Sequence, residues 1–522
     1  MSVSARIKQL ASETAVYGVS SIVGRLINFL LFPLYSQVFD PDVYGPIIVI
    51  YAAFIFLNIL YQHGMESSYL KFATDGGELE GRSTAFTTAI VSLALLSVAL
   101  SIVVWFGKGA VASLIGLEPQ YQVLLGYASL ILLLDALAVV PFADLRLRNK
   151  PWVFAGIRLA NICVNVILNV VLIFVLDWGI EAILVANVIA SAVSVALLLP
   201  STLRRLSSVD GRLWKKMIRF GLPFIPGGLG YALTERINIF FLARMEPETA
   251  RQLYDLNPET HPELVARVTE HGMGVYTEHV VGTYGGIIKL AVLMALFVQM
   301  FRYAWQPFFL QHQHDNDAPR LYGKVFGALT LVLLTAFLGI SFFADELVRL
   351  PLPGDRTLIA SSYWLGLHII PIALVGYVFQ GWYYHFSAGA YLRDRSRYFL
   401  HATLAGSVVA LGLNAALVPS YGMWAAALAT SAAYAVMALT LLVLIRRHYA
   451  VSYSWNRIIL AVALTCVLFT TWYQLDSLQT WLIEAGLVAG FVGSAARILE
   501  IPVFGSIRTL WSGDQGSSES VA

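Results

Sequence analysis

The chain has 522 residues, of which 58% are hydrophobic and only 13% charged, and its mean hydropathy is +0.71. Soluble domains carry about 25% charged residues, so this composition excludes an ordinary soluble enzyme and points to the lipid bilayer. Both cysteines, Cys163 and Cys466, fall in apolar runs, which argues against a disulfide framework.

In chain order, residues 1–13 are short and basic, and the apolar run behind them is too long for a signal peptide and ends in no A-x-A site. The first span is therefore expected to be retained. Continuous apolar runs predict an all-α polytopic membrane protein with 14 spans: 15–38, 45–63, 84–106, 121–142, 152–176, 179–200, 216–243, 280–310, 321–343, 358–386, 397–418, 421–445, 456–474 and 478–498. Barrel strands would alternate, and these runs do not. With a cytoplasmic N-terminus, 23 of the 34 Lys and Arg fall in inner segments and six in outer ones. That bias places both termini in the cytoplasm. An acidic, histidine-containing loop, 245–279, separates spans 7 and 8 on the outer side, with short surface helices expected at Pro247–Leu256 and Pro262–His271. It reads either as a tolerated insertion or as a lid. The tail, 501–522, is polar at its end.

The chain nearly repeats itself. Tyr44-Gly45 opens span 2 and Tyr284-Gly285 opens span 8, and the two stretches align without a gap at an offset of 240. Leu168-Asn169 and Leu413-Asn414 correspond, as do the basic turns Arg148-Asn149-Lys150 and Arg393-Asp394-Arg395. The expected organisation is an N-lobe of spans 1–6 (1–205), a C-lobe of spans 7–12 (206–448), two additional spans (449–500) and a cytoplasmic tail (501–522). Two lobes in parallel orientation leave a cleft near the midplane, where alternating-access transporters hold cargo.

Five cations lie inside spans: Arg25, Arg158, Arg236, Lys289 and Arg302. A charge at mid-depth costs at least ~2.5–3.5 kcal/mol unless it faces protein or water. Arg25 shares a helical face with Ser21 and Asn28, and Arg158 heads a stripe of Asn161, Asn165 and Asn169. Span 7 carries Tyr231, Glu235 and Asn238 on one face, with Arg236 beside it. Asp135 in span 4 and Glu235 are the deep acids and the candidates for ion coupling. The candidate substrate-binding set is Arg25, Asn28, Arg158, Asn161, Asn165, Arg236, Lys289 and Arg302. The plainer alternatives are interhelical glue for the asparagines, ion pairs of Arg25 with Asp135 or of Arg236 within the bundle, and snorkelling for Lys289 and Arg302. Trp382-Tyr383-Tyr384 reads as an interfacial belt or a sugar-stacking platform. A positive excess suits an anionic cargo, since arginine pairs bidentately with phosphate. No nucleotide-binding loop, metal-ligand spacing or nucleophile motif is present.

Phe32-Pro33-Leu34-Tyr35-Ser36-Gln37-Val38-Phe39, Pro41, Tyr44-Gly45 and Gly64-Met65-Glu66-Ser67-Ser68-Tyr69 with Lys71-Phe72 resemble the prokaryotic polysaccharide-biosynthesis exporters. These are the Wzx-type oligosaccharide flippases of the multidrug/oligosaccharidyl-lipid/polysaccharide superfamily, with lipid II flippases and multidrug-and-toxin extrusion antiporters as cousins. The resemblance implies a non-enzymatic flippase of the prokaryotic cell membrane that moves a polyprenyl-diphosphate-linked oligosaccharide to the outer leaflet by alternating access. It also implies a cationic cavity, to which Arg25 would belong. No cofactor is expected beyond a coupling H⁺ or Na⁺. The expected partners are the lipid-linked oligosaccharide, the bilayer and a glycan polymerase or other export protein; nucleic acid is not among them, and a monomer is expected. The long loop after span 7 departs from the plain family pattern. Two alternatives remain: a cation-coupled multidrug antiporter, which would want an acidic cavity, and a membrane-embedded polymerase or glycosyltransferase, which would need the 245–279 loop for catalysis.

Overall fold

A computed structural model describes residues 29–75, 79–475 and 480–501. Among them, eleven helical segments are long and apolar enough to cross a membrane. The described part of α1 covers residues 29–36. Then come α2 (Pro41–Gln62), α3 (Met65–Asp75), α4 (Leu79–Phe106), α5 (Lys108–Ile115), α6 (Gln122–Leu147), α7 (Pro151–Val170), α8 (Glu181–Leu203), α9 (Gly211–Gly221) and α10 (Phe224–Leu242). The acidic loop contains α11 (Pro247–Leu253) and α12 (Pro262–His271). The remainder is α13 (Gly274–Gln311), α14 (Ala318–Phe342), α15 (Ala344–Val348), α16 (Ile370–Leu392), α17 (Arg397–Ile445), α18 (Trp455–Gln474) and α19 (Trp481–Ile498). A small antiparallel hairpin pairs β1 (Pro351–Leu352) with β2 (Arg356–Thr357).

Local chemistry sets many of these boundaries. Pro41, Pro151, Pro247 and Pro262 each stand at the first helical turn, where a missing N–H costs nothing. α2 ends at His63 and Gly64, both with positive φ. Pro223 splits the expected span 7: its first third belongs to α9, an amphipathic helix with Arg212, Lys215, Lys216 and Arg219 outward and Met217 and Gly221 buried. The rest of it is α10, which is not among the eleven segments long and apolar enough to span. Span 10 begins as a 3₁₀ segment, Ser361–Ile369, before α16. Spans 11 and 12 run together as α17, broken at Gly422 (φ 53°, ψ −129°).

The bundle is organised on α2. It packs along α13, the helix the repeat pairs it with, and also touches α6 and α10; α16 and α10 pack along α17. Lipid gives helices no hydrophobic reason to associate, so close backbone approach must do it. A side chain at Gly282 would collide with the Pro41 carbonyl, one at Gly45 with the Glu278 carbonyl, and one at Gly285 with Ile48. The glycine of each Tyr-Gly pair therefore lies in the α2–α13 contact, Gly45 against Glu278 and Gly285 against Ile48. At 38 residues α13 is about 57 Å long, well beyond a ~30 Å hydrocarbon core, so its first turns project into the loop region.

Candidate substrate cleft and its closure

Two polar clusters face inward, one on each side of α2. The first lies on α6, α7 and α8. Arg158 stands away from the exposed apolar stripe of Trp152, Leu159 and Ile167 on the same helix. Its guanidinium lies 4.3 Å over the Phe142 ring, and Asp135 is the acid whose charge it feels. Asp135 accepts a hydrogen bond from Ser191 (2.7 Å). Asn161 donates to Ser194 (3.0 Å), and Asn169 donates to the side chain of Asn165 (3.1 Å). Asn187 of α8 donates to Tyr51 of α2 (3.3 Å), which ties this cluster to the central helix.

The second cluster lies on α10, α13, α16 and α17. Asn238 donates to Tyr284 (2.6 Å) and Thr430 (3.1 Å), and Gln380 to Tyr231 (3.3 Å). Arg236 and Glu235 are 3.8 Å apart, a long pairing for an arginine. The Arg236 side chain is 38% exposed although Tyr284, Tyr377 and Tyr434 surround it, as expected of a cation opening on an internal water-sized space. Its Nε is buried without a hydrogen-bond partner. Arg236 therefore keeps hydrogen-bonding capacity that Glu235 does not fill.

Lys289 and Arg302 sit elsewhere. Lys289 bonds the Tyr44 hydroxyl and lies 4.7 and 4.8 Å from the Phe32 and Tyr44 ring centres, in an aromatic box with no carboxylate among the described residues. Arg236 is its charged neighbour. Arg302 lies about 20 Å further along α13. It is exposed and donates to the Tyr384 hydroxyl (3.4 Å), so it joins the aromatic belt rather than either cluster. Arg25 and Asn28 lie outside the described residues.

The residues of the N-terminal motif have structural tasks. Glu66 pairs with Arg146, Ser68 donates to the Met217 carbonyl (2.8 Å), and Tyr69 donates to Asp144 (2.7 Å), which also holds Arg205 (2.9 Å). Together they fasten α3 to α6 and α9 at the basic end of the bundle.

The opposite end, which carries the acidic loop, is shut by four contacts. Ser36 accepts from the Ala360 N–H (3.2 Å), Gln37 donates to the Thr357 carbonyl (2.9 Å), and Tyr363 donates to the Phe39 carbonyl (2.8 Å). The α2–α13 glycine contact is the second. Third, Arg267 of α12 grips Asp42 with Nε at 2.8 Å and Nη2 at 3.0 Å and reaches Asp40 at 3.0 Å. Fourth, Tyr254 fills the break at Gly422, accepting from the Met423 N–H (2.7 Å) where a Cβ would collide. Within the loop, hydrogen bonds from Arg251 and Gln252 hold the Glu248 carboxyl down to about 2. Burial, and then the neighbouring His279, push the His261 imidazole below its ordinary value, against a weaker pull from Asp255. Sequence reasoning found α11 and α12 but not what they hold. Arg267 and Asp42 are 225 positions apart, and no local signal links them.

A multi-span helical bundle with cations inside its spans and one end closed by side-chain contacts is a polytopic membrane protein. Its fold is similar to that of three solved structures. A lipid II flippase, MurJ, in an inward closed conformation, superposes with a TM-score of 0.72 at 14% identity, over 93% of this chain and all of that one. An inward-facing multidrug resistance transporter of the MATE family, in the MOP superfamily, gives 0.58 at 14% identity, over 81% and 94%. The MATE transporter DinF-BH, in complex with R6G, gives 0.53 at 17% identity, over 84% and 96%. Curated protein sequences yield no match. Residues 19–270 match the family described as polysaccharide biosynthesis protein.

Proposed function

We propose that the protein is a flippase that carries a polyprenyl-diphosphate-linked oligosaccharide from the cytoplasmic to the outer leaflet of a prokaryotic cell membrane. The carrying observation is that the two inward guanidiniums are not closely paired with the acid beside each of them. Asp135 already serves Ser191 and Arg158, Glu235 reaches Arg236 only at 3.8 Å, and Arg236 keeps an unbonded Nε. A diphosphate supplies bidentate acceptors for such guanidiniums. The asparagines of α7 offer amide donors and acceptors to a sugar.

In this reading fourteen spans form two six-span lobes and two additional helices, and both termini are cytoplasmic. The loop end is the outer end, and its closure leaves the cleft to be filled from inside. Each cycle must break the Arg267 grip on Asp40 and Asp42. Asp135 and Glu235 are the groups able to couple the cycle to H⁺ or Na⁺. A multidrug antiporter for organic cations fits less well, because each described polar cluster carries an arginine that its acid pairs only loosely. A polymerase active site in the loop also fits less well, because Arg251 and Arg267 are already committed to ion pairs.

The test is complementation of a flippase-deficient strain with Arg158→Ala and Arg236→Ala. Each removes a charge-assisted contact to phosphate worth about 1.5–3 kcal/mol, so export of surface glycan should fall about tenfold or more at equal membrane expression. Normal export by both variants would refute the cationic-cleft mechanism.

A further inference from the structure

A cavity of about 270 Å³ opens at the basic end, between α13, α14, α16, the end of α17 and the link into α18. Its walls are aromatic: Trp305, Tyr322, Tyr449 and Trp455, with His385 between them. His385 stacks on Trp305 at 4.6 Å and donates through Nε2 to the Tyr322 carbonyl (3.0 Å), so it is part of the wall. Arg446 stands at the rim, exposed, and its side chain forms no hydrogen bond or ion pair among the described residues. Arg393 lies 5.5 Å from the Tyr449 ring, also without a carboxylate partner. The nearby acid Glu500 is taken by Arg457. None of Arg158, Asp135, Glu235, Arg236 or Lys289 lines this space.

The setting identifies the ligand class. Arg446-Arg447 close α17 and Trp455 opens α18, which puts the rim at the membrane interface, where tryptophan and tyrosine gather. Basic pockets between spans at that level collect anionic head groups. The volume equals that of roughly nine liquid waters at ~30 Å³ each, which is room for a stretch of chain and not for an oligosaccharide. We propose that this cavity binds an anionic phospholipid of the surrounding bilayer, with its phosphate at Arg446 and Arg393 and the first methylenes of an acyl chain among the aromatic rings. The unpaired guanidiniums disfavour a cationic ligand, and the aromatic walls disfavour a small polar anion. The site borders α13 and α17, so its occupant stiffens the joint between helices that line the second polar cluster. Binding there is independent of what the cleft carries.

The test uses the purified full-length protein in detergent, read by native mass spectrometry. Dioctanoyl-phosphatidylglycerol, dioctanoyl-phosphatidylcholine and inorganic phosphate are titrated separately. Phosphatidylglycerol should bind in preference to phosphatidylcholine. Arg446→Gln, an exposed change that leaves the packing intact, should weaken the phosphatidylglycerol adduct about tenfold through loss of a charge-assisted bond. Ala450→Trp, which fills the cavity from its exposed rim, should abolish the adduct while the melting temperature holds. Equal binding of the two lipids, or unchanged binding in both variants, would overturn the proposal. Displacement of the lipid by inorganic phosphate at equal concentration would also overturn it, because the occupant would then be a soluble anion.

Discussion

Replacing Arg267 with alanine should open the outer side. Arg267 makes two charge-assisted hydrogen bonds to Asp42, at 2.8 and 3.0 Å, and a contact to Asp40 at 3.0 Å. The Asp42 side chain is only 4% exposed in the closed form, while Arg267 is 27% exposed. Removing one member of a buried pair costs about 3–5 kcal/mol, and a charge-assisted hydrogen bond about 1.5–3 kcal/mol. Partial exposure of the arginine, and the His279 ring 3.8 Å from Asp42, place this case near the lower figures. A penalty of about 2–3 kcal/mol on the closed form, relieved when Asp42 meets water, shifts the closed-to-open ratio about 30- to 150-fold. Val49, which borders the crevice between Gly45, Glu118 and Glu278, reports that shift. With Cys163 and Cys466 replaced by alanine, Val49→Cys should react with an impermeant maleimide from outside far faster in the Arg267→Ala background. The Asp42→Arg, Arg267→Asp exchange should restore slow labelling. A labelling rate within twofold of the parent would show that Arg267 does not hold the gate.

The same label tests a pH effect. The His261 pKa is lowered in the docked loop, so docking favours the neutral ring. Its contribution is fully present above the ordinary histidine value, about 6.5, and is lost as pH falls from there through the folded value. The charged or titratable groups facing His261 are His279 and Asp255. Labelling at Val49→Cys should accelerate between pH 7.5 and 5.5, and His261→Gln should flatten that rise; an unchanged rise would assign it to another group. Lys289→Met keeps the length of the side chain but removes the charge from its aromatic box. If that lysine serves closure more than cargo, export should fall by less than about tenfold, while Arg236→Ala loses most of it. Equal losses in the complementation assay would place Lys289 among the cargo-binding groups.

What was legible in the sequence is what local chemistry encodes. Spans follow from apolar length, and α11 and α12 follow from Pro247 and Pro262 at their first turns. The Tyr-Gly repeat marked α2 and α13 as equivalent helices but gave no sign that they pack on each other through Gly45, Gly282 and Gly285. Span 7 was misread because the apolar run continues through Met217 and Phe220, although Pro223 already marks the break. The asparagine stripe on α7 was visible, but not its partner Ser194 on α8, nor Ser191 as the donor to Asp135. Nor could periodicity tell Arg302, which reaches a belt tyrosine, from Arg236, which faces inward. Those assignments depend on neighbours tens to hundreds of residues away.

The four described cations therefore do not share one role. Lys289 has two ring faces and a hydroxyl, and cation–π contacts reach about 2 kcal/mol each when desolvated, enough to offset a ~2.5–3.5 kcal/mol insertion cost. Its rings come from α1 and α2 while the lysine is on α13, so the box exists only while those helices meet at the outer end. Closure satisfies Lys289. It does nothing for Arg236, whose Nε stays unbonded with the outer end shut. An anion arriving from the cytoplasmic side thus finds one cation already neutralised by aromatic rings and another still in need of acceptors. When the outer side opens the situation reverses: Lys289 loses its box and competes for the same anion near the exit. On the proposed flippase reading, a binding preference that moves along the path with the gate would pass an anion across without holding it in the middle.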